Sequence, residues 1–261
     1  MVIGQELICN KIYTTTLDSF PRTLMLIGDC GSGKHLICTE ISQHLSLQQR
    51  DLTAEISLDI IDELYNRTDP FLYIIDIDKL SIKEQNMILK FIEEPLKNSF
   101  IVILTEAGAN VLATIFNRCQ QWRLQSYNKE YLKTFTDNAN ILRLATTPGQ
   151  ILDFINCDFE SLFELADKIV SKIGAANLPN ALTITNKITV KDEKGKIPAN
   201  LLIKALIATF RDACIENCNS SLISAYKRTQ KLSCDSKIKN VDLKYLFDKY
   251  IIEIREIMRG Q

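Results

Sequence analysis

With only two histidines and no Cys-x-x-Cys pair in 261 residues, the chain has little from which to build a zinc framework or a histidine-centred catalytic site. Its eight cysteines are scattered over positions 9, 30, 38, 119, 157, 214, 218 and 234. Cys214 and Cys218 would share a helical face, but no further ligand follows them closely in sequence. Reduced thiols acting as small apolar residues are therefore expected, with no metal. Neither sign of charge is in surplus, since the net charge is −1. That excludes the basic footprint of an independent nucleic-acid binder. No apolar run approaches the roughly 20 residues of a membrane span. The start Met1-Val2-Ile3-Gly4-Gln5-Glu6 also lacks the basic segment and apolar block of a secretory signal. A globular cytoplasmic protein without a membrane role is expected, and a hydrophobic content of 46% permits a proper core.

What is present begins with residues 28–34, Gly-Asp-Cys-Gly-Ser-Gly-Lys. This is the pattern of a phosphate-binding loop, in which glycines let backbone N–H groups close around phosphate and the lysine reaches the outer oxygens. Leu24-Met25-Leu26-Ile27 before it reads as a strand, and Leu36 to Leu45 after it has helical spacing. Gly28, Gly31, Gly33, Lys34 and His35 are thus candidate nucleotide-loop residues. His35 stands where a working loop places a magnesium-binding Ser or Thr, and imidazole suits the tight octahedral oxygen shell of magnesium poorly. For Lys34, contact with phosphate in a residual site competes with a relic that only solvates the loop.

Apolar runs with β character recur at Leu24 to Gly28, Ala54 to Leu58, Phe71 to Asp76, Phe100 to Thr105 and Trp122 to Leu124, separated by helical patterns. The alternation predicts a parallel sheet covered by helices. After residue 125 the β signal stops and helical patterns dominate, with Asn128 to Phe159 and Phe163 to Gly174 forming one group. Asn177 to Ala181 and Asp192 to Pro198 read as connecting loops, and helical spacing resumes from Ala199. The expected domains are an α/β domain over 1–125, a small helical domain over 126–175 and a second helical domain over 176–261. The cationic stretches Lys187 to Lys196 and Lys227 to Lys239 are interspersed with acidic or polar residues and read as solvated faces or loops. Ser81-Ile82-Lys83-Glu84 fits a capping box, opening a helix that should stop at Pro95.

The strand Phe71 to Asp76 ends in acid, as the Walker B strand of a P-loop ATPase does. Its usual adjacent pair of carboxylates is broken here. If Asp76 is the metal residue, the glutamate position is Ile77; in the other register Asp76 takes the glutamate position and Ile75 replaces the metal aspartate. In both cases one carboxylate is an isoleucine, a second loss beside His35.

Asp78-Lys79-Leu80-Ser81 through Gln85-Asn86-Met87-Ile88-Leu89-Lys90-Phe91-Ile92-Glu93-Glu94-Pro95 resembles the segment after Walker B in AAA+ sliding-clamp loaders. Phe100 to Thr105 resembles the family's strand ending in the sensor 1 residue, here Thr105. Leu112-Ala113-Thr114-Ile115-Phe116-Asn117-Arg118-Cys119-Gln120 resembles its Leu-x-Thr-Ile-x-Ser-Arg-Cys-Gln motif, with Asn117 in place of serine. Within the family the likeness is to the delta-prime branch of bacterial DNA polymerase III loaders, whose members often do not hydrolyse ATP. Ala145-Thr146-Thr147-Pro148-Gly149-Gln150-Ile151-Leu152 is similar to a segment in which motor subunits carry a sensor 2 arginine, at Gly149 here. The zinc module that family members usually insert after the P-loop has no room or ligands in this chain.

The resemblance implies a P-loop AAA+ parallel sheet with helices on both faces, a helical lid and a C-terminal helical collar that joins subunits into a ring. It implies a non-catalytic subunit of a hetero-oligomeric clamp loader in DNA replication. Arg118 would act in trans as an arginine finger at a neighbour's ATP site. Asp76 and Asp78 would be Walker B-like and Thr105 sensor 1-like. Partners would be gamma/tau-type ATPase and delta-type subunits, the sliding clamp and, through the complex, primed DNA. No cofactor is required on this reading, there is no zinc, and residual ATP or ADP binding without hydrolysis stays open. The bland alternatives are a surface Arg118 pairing with a helix C-terminus or nearby acid, a Thr105 that caps the next turn, and structural roles for Asp78 and Lys79. An active gamma/tau-type motor and a P-loop regulator outside the loader are the competing functions.

Overall fold

The computed structural model describes residues 2–65, 69–94, 99–106, 111–155, 159–173, 175, 177, 179, 182, 188–189, 197–217, 219–236 and 242–260. In chain order the first half runs α1 (Glu6–Thr14), β1 (Thr23–Ile27), α2 (Lys34–His44), β2 (Gln48–Asp51), α3 (Leu58–Tyr65), β3 (Phe71–Asp76), a 3₁₀ turn (Ile77–Lys79), α4 (Ile82–Glu93), β4 (Phe100–Thr105), α5 (Ala113–Phe116) and β5 (Gln120–Arg123). Short helices α6 (Lys129–Leu132), α7 (Ala139–Leu144) and α8 (Pro148–Phe154) follow. Then come α9 (Phe159–Lys172), a two-residue pair β6 (Ile188–Thr189) and β7 (Ile197–Pro198), and three long helices α10 (Ala199–Glu216), α11 (Ser220–Asp235) and α12 (Leu243–Arg259).

The five long strands form a sheet in the order β2-β3-β4-β1-β5, every neighbouring pair parallel. β1, β3 and β4 are apolar apart from the terminal Thr23, Asp76 and Thr105, as strands covered on both faces must be. Side chains alternate between two cores. Leu24, Leu26, Leu72, Ile74, Val102 and Leu104 meet α1 and α2 on one face. Met25, Ile27, Tyr73, Ile75, Ile101 and Ile103 meet α3, α4 and α5 on the other. The α/β sheet with helices on both faces is therefore as expected. Trp122 on the edge strand β5 is buried and packs edge-on against Phe20.

One strand lies elsewhere than its sequence pattern indicated. Ala54 to Leu58 forms a turn and the first residue of α3, and the second strand is Gln48–Asp51 instead. Its residues are almost all exposed on the sheet edge, so burial imposes no apolar pattern on them.

The capping box at Ser81 is present: the Ser81 hydroxyl accepts from the Glu84 amide, and the Glu84 carboxylate accepts from the Ser81 amide at 2.7 Å. α4 ends at Glu93; Pro95 lies outside the described residues, as do Gly174, most of 177–198, Cys157 and Cys218.

By internal contacts the chain divides into two compact units, Met1–Asn138 with Ala145–Ile155, and Ala139–Leu144 with Asn156–Gln261. Residues 126–175, read from the sequence as one domain, are thus divided between them. In the second unit α10 packs on α9 and α11, and α11 on α12. The Tyr250 and Thr229 hydroxyls share a buried hydrogen bond of 2.8 Å. Arg143 on α7 reaches Asp212 on α10 at 2.8 Å and stacks over Phe163. Asn219 and Asp242 cap α11 and α12. Among the described residues no helix is long and apolar enough to cross a membrane.

Candidate functional site

The loop after β1 has the shape its glycines allow. Gly31 and Gly33 adopt φ of +75° and +89°, which residues with a Cβ rarely take, and α2 starts at Lys34. The loop is anchored where the Gly28 amide donates to the Thr105 carbonyl at 3.1 Å. Among the described residues, the amides of Gly31, Gly33, Lys34 and His35 find no protein acceptor. They are the first-turn donors a helix leaves unsatisfied, together with two loop donors of the kind that binds anions. The Lys34 ammonium folds over the loop and donates to the carbonyls of Gly28 at 2.6 Å and Asp29 at 3.0 Å. His35 is exposed on the first turn of α2.

A cavity of about 650 Å³ opens beside this loop. Cys30 to Leu36 form one wall, and Asp76, Asp78, Lys79 and Glu106 form another. Val2, Ile3, Tyr127, Phe135, Pro148 and Leu152 supply apolar surface. Both halves are braced. Gln5 is buried and exchanges two hydrogen bonds with the backbone of Gln125, at 2.9 and 2.8 Å. Tyr127 donates to the Ser32 carbonyl at 3.1 Å.

The two acids that read as Walker B-like both face this cavity, and both are engaged. Asp76 pairs with Lys79 at 2.8 Å, and this contact raises the lysine's pKa above its ordinary value. Asp78 accepts from the Thr105 hydroxyl through one oxygen at 2.9 Å and from the Glu106 amide through the other at 2.7 Å. Asp78 thus ties the turn after β3 to the end of β4, and Thr105 is fully buried in that tie. Asp78 and Lys79 thus make contacts of the structural kind weighed for them, and the Thr105 hydroxyl gives its hydrogen to Asp78.

The segment before α8 closes over the loop through carbonyl groups. Thr147 caps α8 and its hydroxyl donates to the Cys30 carbonyl at 2.7 Å; the Gly149 amide donates to the Gly31 carbonyl at 3.0 Å. A Cβ added at Gly149 would lie 2.5 Å from the Gly31 Cα. Sequence reading marked Gly149 only for the side chain it lacks. The Thr-Pro start of a helix was the available signal for this docking.

Arg118 does not line the cavity. It follows α5, where Nη1 donates to the Thr114 carbonyl at 2.9 Å and Nη2 meets the Glu93 carboxylate of α4 at 2.9 Å. Its side chain is 44% exposed. The structure therefore brings Gly28, Gly31, Gly33, Lys34, His35, Asp76, Asp78 and Thr105 together at one place and sets Arg118 apart on the surface of the same unit. The acid pairing weighed against the finger role is present, and it leaves much of the guanidinium accessible.

The residues fit a phosphate better than a magnesium ion. Unsatisfied amides and Lys34 suit anionic oxygens. The oxygen ligands magnesium needs are missing at position 35 and already engaged at Asp76 and Asp78.

Residues 55–128 match the model of the family described as DNA polymerase III, delta subunit. A DNA polymerase III subunit delta' from Haemophilus influenzae is 36% identical over 58 residues, which is 22% of this chain and 18% of that protein's length. The match thus spans under a fifth of the curated relative. Among solved structures, a DNA polymerase III gamma subunit-related protein from Thermotoga maritima superposes with a TM-score of 0.52 at 15% identity, covering 98% of this chain and all of the other. The Thermotoga maritima RuvB Holliday junction branch migration motor gives 0.50 at 16%, over 80% of this chain and 78% of its own. At such identity these structures speak for the AAA+ fold alone. The sequence matches fall on the segment that carries the motifs, and over that segment the chain is similar to DNA polymerase III subunits of the clamp-loader type.

Proposed function

We propose that this chain is a non-hydrolysing ring member of a clamp loader. It completes a hetero-oligomer with gamma/tau-type and delta-type subunits in the cytoplasm and supplies Arg118 to a neighbour's ATP site while a sliding clamp is opened and placed on primed DNA. The observation that carries the reading is a contrast within one unit: the hydrolytic positions are substituted or engaged, while Arg118 keeps an accessible guanidinium held in a defined direction. A planar cationic fork at a subunit boundary stabilises charge that develops on a transferring phosphoryl group, an effect of about 10³–10⁵ in rate for arginine fingers.

The test is ATP turnover by the ring reconstituted with and without Arg118→Ala. A fall of tenfold or more with unchanged assembly is expected, and unchanged turnover overturns the proposal. The motor reading makes the opposite prediction for the isolated chain, namely turnover with magnesium that is lost in Lys34→Ala.

A further inference from the structure

We infer that the cavity beside residues 28–34 binds a nucleoside di- or triphosphate without a divalent cation, with the Lys79 ammonium serving where a metal ion would. This deepens the non-hydrolysing reading but is independent of Arg118, so the two fail separately.

Four observations converge. The amides of Gly31, Gly33, Lys34 and His35 have no acceptor among the described residues, and α2 adds its positive end. Ser32, only 3% exposed and lining the same cavity, carries a hydroxyl with no partner. The volume of about 650 Å³ falls in the range of small-ligand sites. The apolar surface of Val2, Ile3, Phe135 and Leu152, the last three solvent-exposed, offers a base an apolar wall beside the polar loop.

A fifth observation sets the metal dependence. In a magnesium site the cation is held by carboxylates on one side and phosphate oxygens on the other. Here the carboxylate of Asp76 already holds a cation, the Nζ of Lys79 at 2.8 Å, and both residues line the cavity. The lysine side chain is 68% exposed, so its other two N–H donors remain available. Lys34 and Lys79 then provide two point charges for the polyphosphate, and Asp76 orients the second. An ammonium neutralises phosphate charge but activates no water. Retention without hydrolysis follows from the same substitution.

The experiment measures binding of ATP and ADP to the full chain by titration calorimetry, in EDTA and in magnesium. Affinities equal within about threefold in the two conditions are expected. Lys79→Gln should weaken binding in EDTA by about tenfold or more, and magnesium should recover part of that loss because Asp76 is then released. Lys79→Arg should bind as the native chain does. A native thermal transition for Lys79→Gln establishes that the fold is kept. No binding in either condition, binding by the native chain only with magnesium, or an unaffected Lys79→Gln each overturns the inference.

Discussion

Arg118 and Glu93 meet across two elements, Nη2 to Oε1 at 2.9 Å, with the arginine's other terminal nitrogen on the Thr114 carbonyl. The two side chains are 44% and 46% exposed. A pair so open to water contributes about 0–1 kcal/mol. It directs the guanidinium without holding it against a phosphate, whose charge and oxygen geometry compete well for a planar fork. A double-mutant cycle of Arg118→Ala and Glu93→Gln, followed by denaturant unfolding, should give a coupling of about 0.2–1 kcal/mol. A much larger coupling would mark Arg118 as a structural residue.

Gly149→Ala tests the closure over the loop. The new methyl would sit 2.5 Å from Gly31 Cα and 2.7 Å from its carbonyl oxygen, both backbone atoms. Overpacking of this kind costs about 1–3 kcal/mol, read as a lower denaturation midpoint. A neutral result would mean that the segment before α8 moves freely off the loop.

Ser81→Ala removes the hydroxyl from a reciprocal cap whose other half is Glu84. The expected loss is about 1 kcal/mol, measured in the same unfolding experiment. Because Ser81 starts the helix that ends at Glu93, the substitution also reports how firmly α4 carries the partner of Arg118.

Burial pushes the thiols of Cys38 and Cys119 up from 9.0 to about 12, in Cys38 with a smaller contribution from Asp51. The unfolded chain loses these protons first as pH rises, so their stabilising contribution is complete below about pH 9 and declines toward pH 12. Denaturation midpoints should therefore fall through that alkaline window, and less so in Cys38→Ala with Cys119→Ala. Near neutral pH the exposed Cys30 should take a thiol reagent well before either of them.

Much of this architecture was legible because burial writes itself into sequence. β3 and β4 are apolar runs since both faces are covered, and the cap at Ser81 is a local pattern of four residues. β2 was misplaced because an exposed edge strand such as Gln48–Asp51 needs no apolar residue. The loop and its substituted metal position could be read directly, since Gly31 to His35 are contiguous. The pairings Asp78–Thr105 and Glu93–Arg118 could not, because they join residues 27 and 25 positions apart that only the sheet and its helices bring together. The docking of Thr147 onto Cys30 has still less local signature, at a separation of 117 residues.

The meeting of Gly31 with Gly149 also limits what position 149 can carry. Position 149 is where the family resemblance places an arginine in motor subunits. With no space for even one carbon on that backbone, an arginine placed there would collide with the loop before reaching any phosphate. A side chain at position 149 would need the helix to retreat first.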